Sequence, residues 1–351
     1  MKKKYIIFVI AAVILICINT SSNIVNIVIY SCSVICLAFL LGKLTSGMSL
    51  YIGEKKGGLL AATIGNIPEL MMGIWSIRYG MIPMVKASLM GSIMSNMLLG
   101  LGIAIFCGGL KYKEQKFNKI IARTNFNMLL LAMSAIIVMA ALNECSAESL
   151  KNSILVSISI KVSIVLMCIY ILGFIFSFCT HRNLFLISDI EENKEKNNKI
   201  EGIISIIFLI IVSVMLYFTS DKLIFNIKCL VKNYNISQQF IGIILIPLLG
   251  NIGENVSAIM CAMDNKINMS LETAIGSSIQ ISLFVTPLLM ILSCIVGMPM
   301  VLVFSVFQII ISVLAVGMSF LVFQDGKSYW FEGAILVSIY IIITIAYYYV
   351  C

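Results

Sequence analysis

Hydrophobic residues run through this chain in long blocks, and polar residues fall in short breaks between them. A run near 18 or more apolar residues reads as a membrane-spanning helix, because about 20 residues at 1.5 Å each cross the hydrocarbon core. Eleven spans are expected, at about 5–19, 24–42, 57–77, 82–107, 126–142, 153–179, 202–219, 237–262, 269–294, 300–323 and 331–349. The alternating ten-residue pattern of a transmembrane barrel does not occur. The expected fold class is therefore an all-α polytopic membrane protein. The first run follows Lys2, Lys3 and Lys4 and also resembles a signal peptide. No small-x-small cleavage site follows, so a retained helix is expected.

Composition agrees: 60% of residues are hydrophobic and 11% charged, against about 25% charged in soluble domains. The net charge of +8 could suggest nucleic acid, but basic residues in loops hold topology instead. With the N-terminus in the cytoplasm, the loops on that side hold 17 Lys and Arg and the outer loops five. That asymmetry supports a cytoplasmic N-terminus and eleven spans. The eleven cysteines lie mostly inside apolar runs, with no CxxC and a single histidine, His181. They read as small hydrophobes, with no disulfide framework and no zinc site. The expected partners are membrane lipid and transported cations, with no nucleic acid.

One long charged break, 181–201, divides the chain and reads as a solvated cytoplasmic linker. The expected domains are an extra N-terminal helix (1–20), a first five-helix unit (21–180), the linker (181–201) and a second five-helix unit (202–351).

The halves share a motif. Residues 65–69 read Gly-Asn-Ile-Pro-Glu and residues 250–254 read Gly-Asn-Ile-Gly-Glu. The same offset of 185 brings Gly91-Ser92 onto Gly276-Ser277 and Ser95 onto Gln280. The copies lie five spans apart, an odd number, so the second crosses in the opposite direction. Two inverted five-helix repeats are the expected layout, with the substrate site where interrupted helices from the halves meet.

Glu69 and Glu254 stand within apolar spans, where an ionised carboxylate costs several kcal/mol unless paired or coordinating. Asn66 and Asn251 lie three residues earlier, on the same helix face. Pro68 lacks an N–H and so removes the helical partner of the Ile64 carbonyl, and Gly65, Gly250 and Gly253 allow the backbone to unwind. Carboxylates, amide oxygens and freed carbonyls form a hard-oxygen set suited to Ca²⁺ and unsuited to copper or zinc. Glu69, Glu254, Asn66 and Asn251 are the expected cation ligands. The two carboxylates also serve proton coupling, because one divalent ion and up to two protons compete for them. Ser92, Asn96, Ser277 and Gln280 are expected to support that shell, with small-residue helix packing as the alternative role for the serines. Lys86 and Lys161 are expected to snorkel or face water, and Glu272 and Glu332 to sit near span ends.

The stretches GGLLAATIGNIPELMMGIWSIRYGMIPMVKASLMGSIMSNMLLGLG, GNIGENVSAIMCAMDNKINMSLETAIGSSIQISLFVTP and QDGKSYWFEG resemble the calcium/proton exchanger family of the calcium:cation antiporter superfamily. The resemblance runs from about residue 37 to the end. It implies an extra helix plus two inverted five-helix repeats, with calcium at Glu69 and Glu254, repeat asparagines at Asn66 and Asn251, and matching polar positions at Ser92, Ser277 and Gln280. It implies a transporter, not an enzyme, with no cofactor; the cargo is Ca²⁺, with Mn²⁺ as the other candidate, and H⁺. A sodium/calcium or manganese/proton exchanger is the alternative, and a cation channel a more distant one. Asn255 stands where the family commonly has His, Thr45-Ser46 where it has Thr-Glu, and Ala61 where Asn is common. Those changes remove titratable groups and bear on pH dependence. The expected location is a bacterial plasma membrane.

Overall fold

The computed structural model describes residues 12–52, 64–145, 152–180 and 199–350. Nearly all of them are helical. Residues 12–17 form a short helical stretch. Then come α1 (Asn23–Ile52), α2 (Ile67–Arg78), α3 (Ile82–Tyr112), α4 (Lys119–Cys145) and α5 (Asn152–Ile175). The second half holds α6 (Lys199–Tyr234), α7 (Gln238–Gly250), α8 (Ile252–Met263), α9 (Ile267–Ile295), α10 (Val306–Val322) and α11 (Trp330–Val350). A two-stranded ribbon, β1 (Gln115–Lys116) with β2 (Lys327–Ser328), joins the α3–α4 and α10–α11 connections, with Gln115 opposite Ser328.

Among the described residues, seven helices are long and apolar enough to cross a membrane: α1, α3, α4, α5, α6, α9 and α11. The chain is an integral membrane protein. The span expected at 237–262 is two helices, α7 and α8, bent by 55° and together long enough for an eighth crossing. The span expected at 300–323 begins later, at Val306. Gly297 with φ +79° ends the preceding helix, and Ser305 and Gln308 start α10 with a reciprocal capping box. The expected 202–219 is the apolar part of a helix that continues to Tyr234, because Lys222, Asn226 and Lys228 extend it past the hydrophobic run. Of the expected 5–19 and 57–77, only residues 12–19 and 64–77 lie within the described residues, and the 181–201 linker lies almost wholly outside them.

The 185-residue offset is visible in the backbone. α2 and α8 start and end at offset-related residues, after Asn66 (φ −91°, ψ 16°) and Asn251 (φ −84°, ψ 6°). Beyond them, Gly80 at φ +76° corresponds to Asn265 at φ +59°. The bonds Tyr79 N–H to Trp75 O, Gly80 N–H to Ile77 O and Met81 N–H to Ser76 O recur as Asp264 to Met260, Asn265 to Ala262 and Lys266 to Cys261. Two sequences with different side chains thus make the same tight turn. α3 and α9 both widen into π turns just past the paired serines, at Ser95–Gly100 and Ile281–Val285.

Hydrophobic burial forms two separate clusters. One joins α1 and α6 through Tyr30, Leu37, Leu41, Leu216 and Leu223, and takes in Met72 and Trp75 of α2 and Leu249 of α7. The larger one fills the space between α3, α4, α8, α9, α10 and α11. α2 is also tied to α6 by polar contacts: Trp75 Nε1 donates to Tyr217 O at 3.0 Å, and Tyr79 Oη donates to Asp221 at 2.5 Å.

Pro247 shapes the second half. It lies inside α7 and has no N–H for the carbonyl of Ile243. That carbonyl lies against Gly91 of α3, so close that a Cβ at 91 would collide with it. Gly242 makes the reciprocal approach to the Met84 carbonyl. α3 and α7 therefore meet backbone to backbone, as small residues allow in membranes. Pro68 differs: it sits in the first turn of α2, where its missing N–H costs the helix nothing.

Candidate cation site

The two motifs place their carboxylates alike. Asn66 and Asn251 are the N-cap residues of α2 and α8, and Glu69 and Glu254 stand in the first turns. The N-terminus of a helix carries partial positive charge that favours an anionic side chain. Glu69 is 6% exposed and Glu254 is half-buried. The two carboxyl groups are near enough to interact electrostatically. Both oxygens of Glu69 are buried, and no donor from another residue reaches either of them. A buried acceptor pair without donors is rare in folded proteins; a proton, a water or a cation would satisfy it.

α3 and α9 cross behind these motifs and supply the neighbouring polar groups. Asn96 Nδ2 donates to Ser277 Oγ at 3.1 Å and to Asn251 Oδ1 at 3.5 Å. Ser277 Oγ donates to Asn66 Oδ1 at 3.2 Å, and Asn66 Nδ2 donates to Gln280 Oε1 at 2.6 Å. The chain of bonds therefore runs between the halves and joins both motif asparagines. Ser92 is buried one turn before Asn96. Of the expected residues, Asn66, Asn96, Asn251, Ser277 and Gln280 meet in this one network, and Glu69 adjoins it. Gln280 and Ser277 act on Asn66, so they hold a neighbour in place as well as lining the site. Of the expected helix breaks, Gly65 and Gly250 flank the caps, Pro68 opens α2, and Gly253, in the first turn of α8, approaches the Ala38 carbonyl of α1, with its Cβ position 3.5 Å away.

Two contacts were not foreseen from sequence. A Cβ at Gly250 would collide with Glu69 Oε1, and a Cβ at Gly100 with Asn255 Oδ1. The repeat pattern flagged Gly250 and Glu69, but only the packing shows which glycine faces which side chain.

Other expectations resolve plainly. Lys86 is half-buried, and its Nζ donates to Val303 O at 2.8 Å, whereas Lys161 is exposed. Glu332 Oε2 accepts from Tyr329 N–H at the start of α11, and Glu272 is half-buried in α9. Thr45 Oγ1 donates back to Leu41 O; Ala61 lies outside the described residues. Nine of the cysteines, from Cys17 to Cys294, are free. Among the described residues no three His, Cys, Asp or Glu side chains cluster as metal ligands. A cation here would depend on two carboxylates plus amide and hydroxyl oxygens.

Comparison with known proteins places this geometry. The profile of the sodium/calcium exchanger protein family matches residues 5–179 and 204–349. The chain is 34% identical to the Ca²⁺/H⁺ antiporter ChaA of Bacillus subtilis (strain 168) over 321 residues, 91% of each chain. It is 35% identical to the vacuolar cation/proton exchanger 2 of Arabidopsis thaliana, covering 89% of this chain and 73% of that one. Among solved structures it superimposes on native YfkE with a TM-score of 0.83 and 31% identity, covering 98% and 99% of the two chains. The H⁺/Ca²⁺ exchanger CAX shares the fold at a TM-score of 0.72 and 13% identity, covering 94% and 87%.

Proposed function

The chain belongs to the sodium/calcium exchanger protein family, and from that premise we propose that it exchanges Ca²⁺ for H⁺ across a membrane. The cation sits between Glu69 and Glu254, with amide oxygens from Asn66, Asn251 and Asn96 near it. One observation carries this reading: the buried carboxylate of Glu69 has no donor from another residue and lies within electrostatic reach of Glu254. Two carboxylates neutralise one divalent ion. When the ion departs, protons take its place, since two bare carboxylates repel in a dry site. The relatives named as Ca²⁺/H⁺ antiporters support this cargo over Na⁺ or Mn²⁺.

The offset-related caps and turns support two inverted five-helix repeats after an extra helix, eleven spans in all. Transport proceeds by alternating access in this reading, with one pair of helices rocking against the rest. Excess Lys and Arg in alternate loops supports a cytoplasmic N-terminus. The protein acts as a carrier with no resident cofactor.

The test is Ca²⁺ uptake into sealed vesicles that are acid inside and free of sodium, for the native protein, Glu69→Gln and Glu254→Gln. Uptake that collapses with a protonophore and is lost in both variants is expected. Uptake only with an outward sodium gradient would assign the sodium branch instead. Flux that survives either substitution without any gradient would mean a channel.

A further inference from the structure

The two acid-bearing helices are fastened at their far ends to different neighbours. At the end of α8, side chains from the end of α3 and the connection after it donate to the last carbonyls. Gln115 Nε2 donates to Ala262 O at 2.8 Å and to Asn265 Oδ1 at 3.1 Å. Lys111 Nζ and Tyr112 Oη donate to Met263 O at 2.7 and 3.0 Å. Just beyond, Asn118 N–H donates to Asn268 Oδ1 at 2.8 Å. The last carbonyls of a helix lack helical partners and carry partial negative charge, so an ammonium and an amide N–H suit them. Gln115 is 1% exposed. It stands in β1 opposite Ser328 of β2, and a Cβ at Gly108 of α3 would collide with its Oε1. The other half has no such clasp. Val296, Gly297 and Met300 stand at the offset positions of Lys111, Tyr112 and Gln115, and none of them has a side-chain N–H or O–H. Gly80, the counterpart of Asn265, has no side-chain oxygen to offer. α2 is held to α6 instead, through Trp75 and Tyr79.

We propose that Gln115, supported by Lys111 and Tyr112, is a positioning residue for Glu254. Glu254 and Ala262 are eight residues apart in one uninterrupted helix, about 12 Å at 1.5 Å per residue. A helix that short moves as a rod, so the bonds at its end set where the acid in its first turn stands. At its other end α8 meets α7 at a bend of 55°, so no straight helix continues to hold it there. Glu69 has its own anchor, on α6. Two separate anchors therefore set the spacing of the two carboxylates, and Gln115 is the buried member of the one at α8. Gln115 acts through that helix and lines no part of the cation site. The inference rests on the reading that the two carboxylates share a cation.

The experiment compares the native protein with Gln115→Leu, which keeps the bulk and removes the donor, and with Lys111→Met, a milder change at an exposed donor. Two quantities are read in detergent at one pH: Ca²⁺ affinity by calorimetry, and amide hydrogen exchange of α8 against α2 by mass spectrometry. In Gln115→Leu, exchange in α8 is expected to rise while α2 keeps its protection. Ca²⁺ affinity is expected to fall about tenfold, as when a group that orients a metal ligand is lost. Lys111→Met is expected to change both in the same direction by less, and it decides the matter if Gln115→Leu does not fold. Exchange that rises equally in α2 and α8 would mean general loosening and overturn the proposal. So would an unchanged affinity, or unchanged exchange in α8. Native protein that binds no Ca²⁺ would defeat the shared-cation reading instead, and exchange in α8 would still decide whether Gln115 anchors that helix.

Discussion

Gly250 lies directly against the carboxylate of Glu69: a Cβ on that glycine would overlap Glu69 Oε1. The contact crosses between the two halves. The glycine of the second motif makes room for the acid of the first. Gly250→Ala is expected to displace Glu69 while leaving both carboxylates in the sequence. Overpacking of this kind costs about 1–3 kcal/mol. Ca²⁺ uptake in vesicles should fall by about tenfold, the equivalent of 1.4 kcal/mol, at normal membrane abundance. Unchanged uptake would show that Glu69 moves aside freely.

Asn66→Ala removes two bonds at once: Gln280 Oε1 loses its donor, and the Ser277 hydroxyl loses its acceptor while still accepting from Asn96. Stranding a buried polar group costs about 1–3 kcal/mol. A lower thermal midpoint in detergent is expected, together with weaker Ca²⁺ binding measured by calorimetry. Gln280→Ala should reproduce part of the stability loss, because it acts on Asn66. Full additivity in the double variant would show that the two residues are not coupled.

The meeting of α3 and α7 gives a contrast between two glycines. Gly91→Ala drives a methyl into the Ile243 carbonyl, whereas the added methyl of Gly317→Ala in α10 finds no atom within 4 Å. The first is expected to destabilise by about 1–3 kcal/mol. The second should be neutral or stabilise by about 0.5–1 kcal/mol, since alanine is the better helix residue. Thermal unfolding of the purified variants checks both signs.

Outside the membrane, the Lys327 ammonium lies 3.1 Å from Glu114 and bonds it, holding its carboxyl below the usual range; Tyr329 and Lys116 add to this. Glu114 in turn raises Lys327. A depressed carboxylate contributes stability above its unfolded value of about 4.3 and loses it as pH falls through the folded value. The raised lysine contributes below about 10.4 and loses it as pH rises past that. The stability difference between native protein and Glu114→Gln should therefore be full near neutral pH and vanish toward strong acid. Because the pair is exposed, it should also shrink with salt. A difference that persists in acid would point to a cause other than charge.

Much of this was legible in the chain. The apolar runs announced a membrane protein, and the offset of 185 located both caps and both acids, because a duplicated motif preserves the residues its backbone turn demands. Helix ends were less legible: α6 runs on past its apolar stretch to Tyr234, since helices continue where hydrophobicity stops.

What the sequence determined by itself was the class, the paired carboxylates and their asparagine neighbours, all of which follow from local pattern and from the cost of a charge in lipid. What only the tertiary structure decided was who faces whom. It put Gly250 on Glu69, Gln280 on Asn66 and the Ile243 carbonyl on Gly91. Such contacts join residues more than 150 positions apart, and they depend on how helices cross. No local pattern encodes them, because the same polar side chain can serve as ligand, strut or packing surface until its neighbour is fixed.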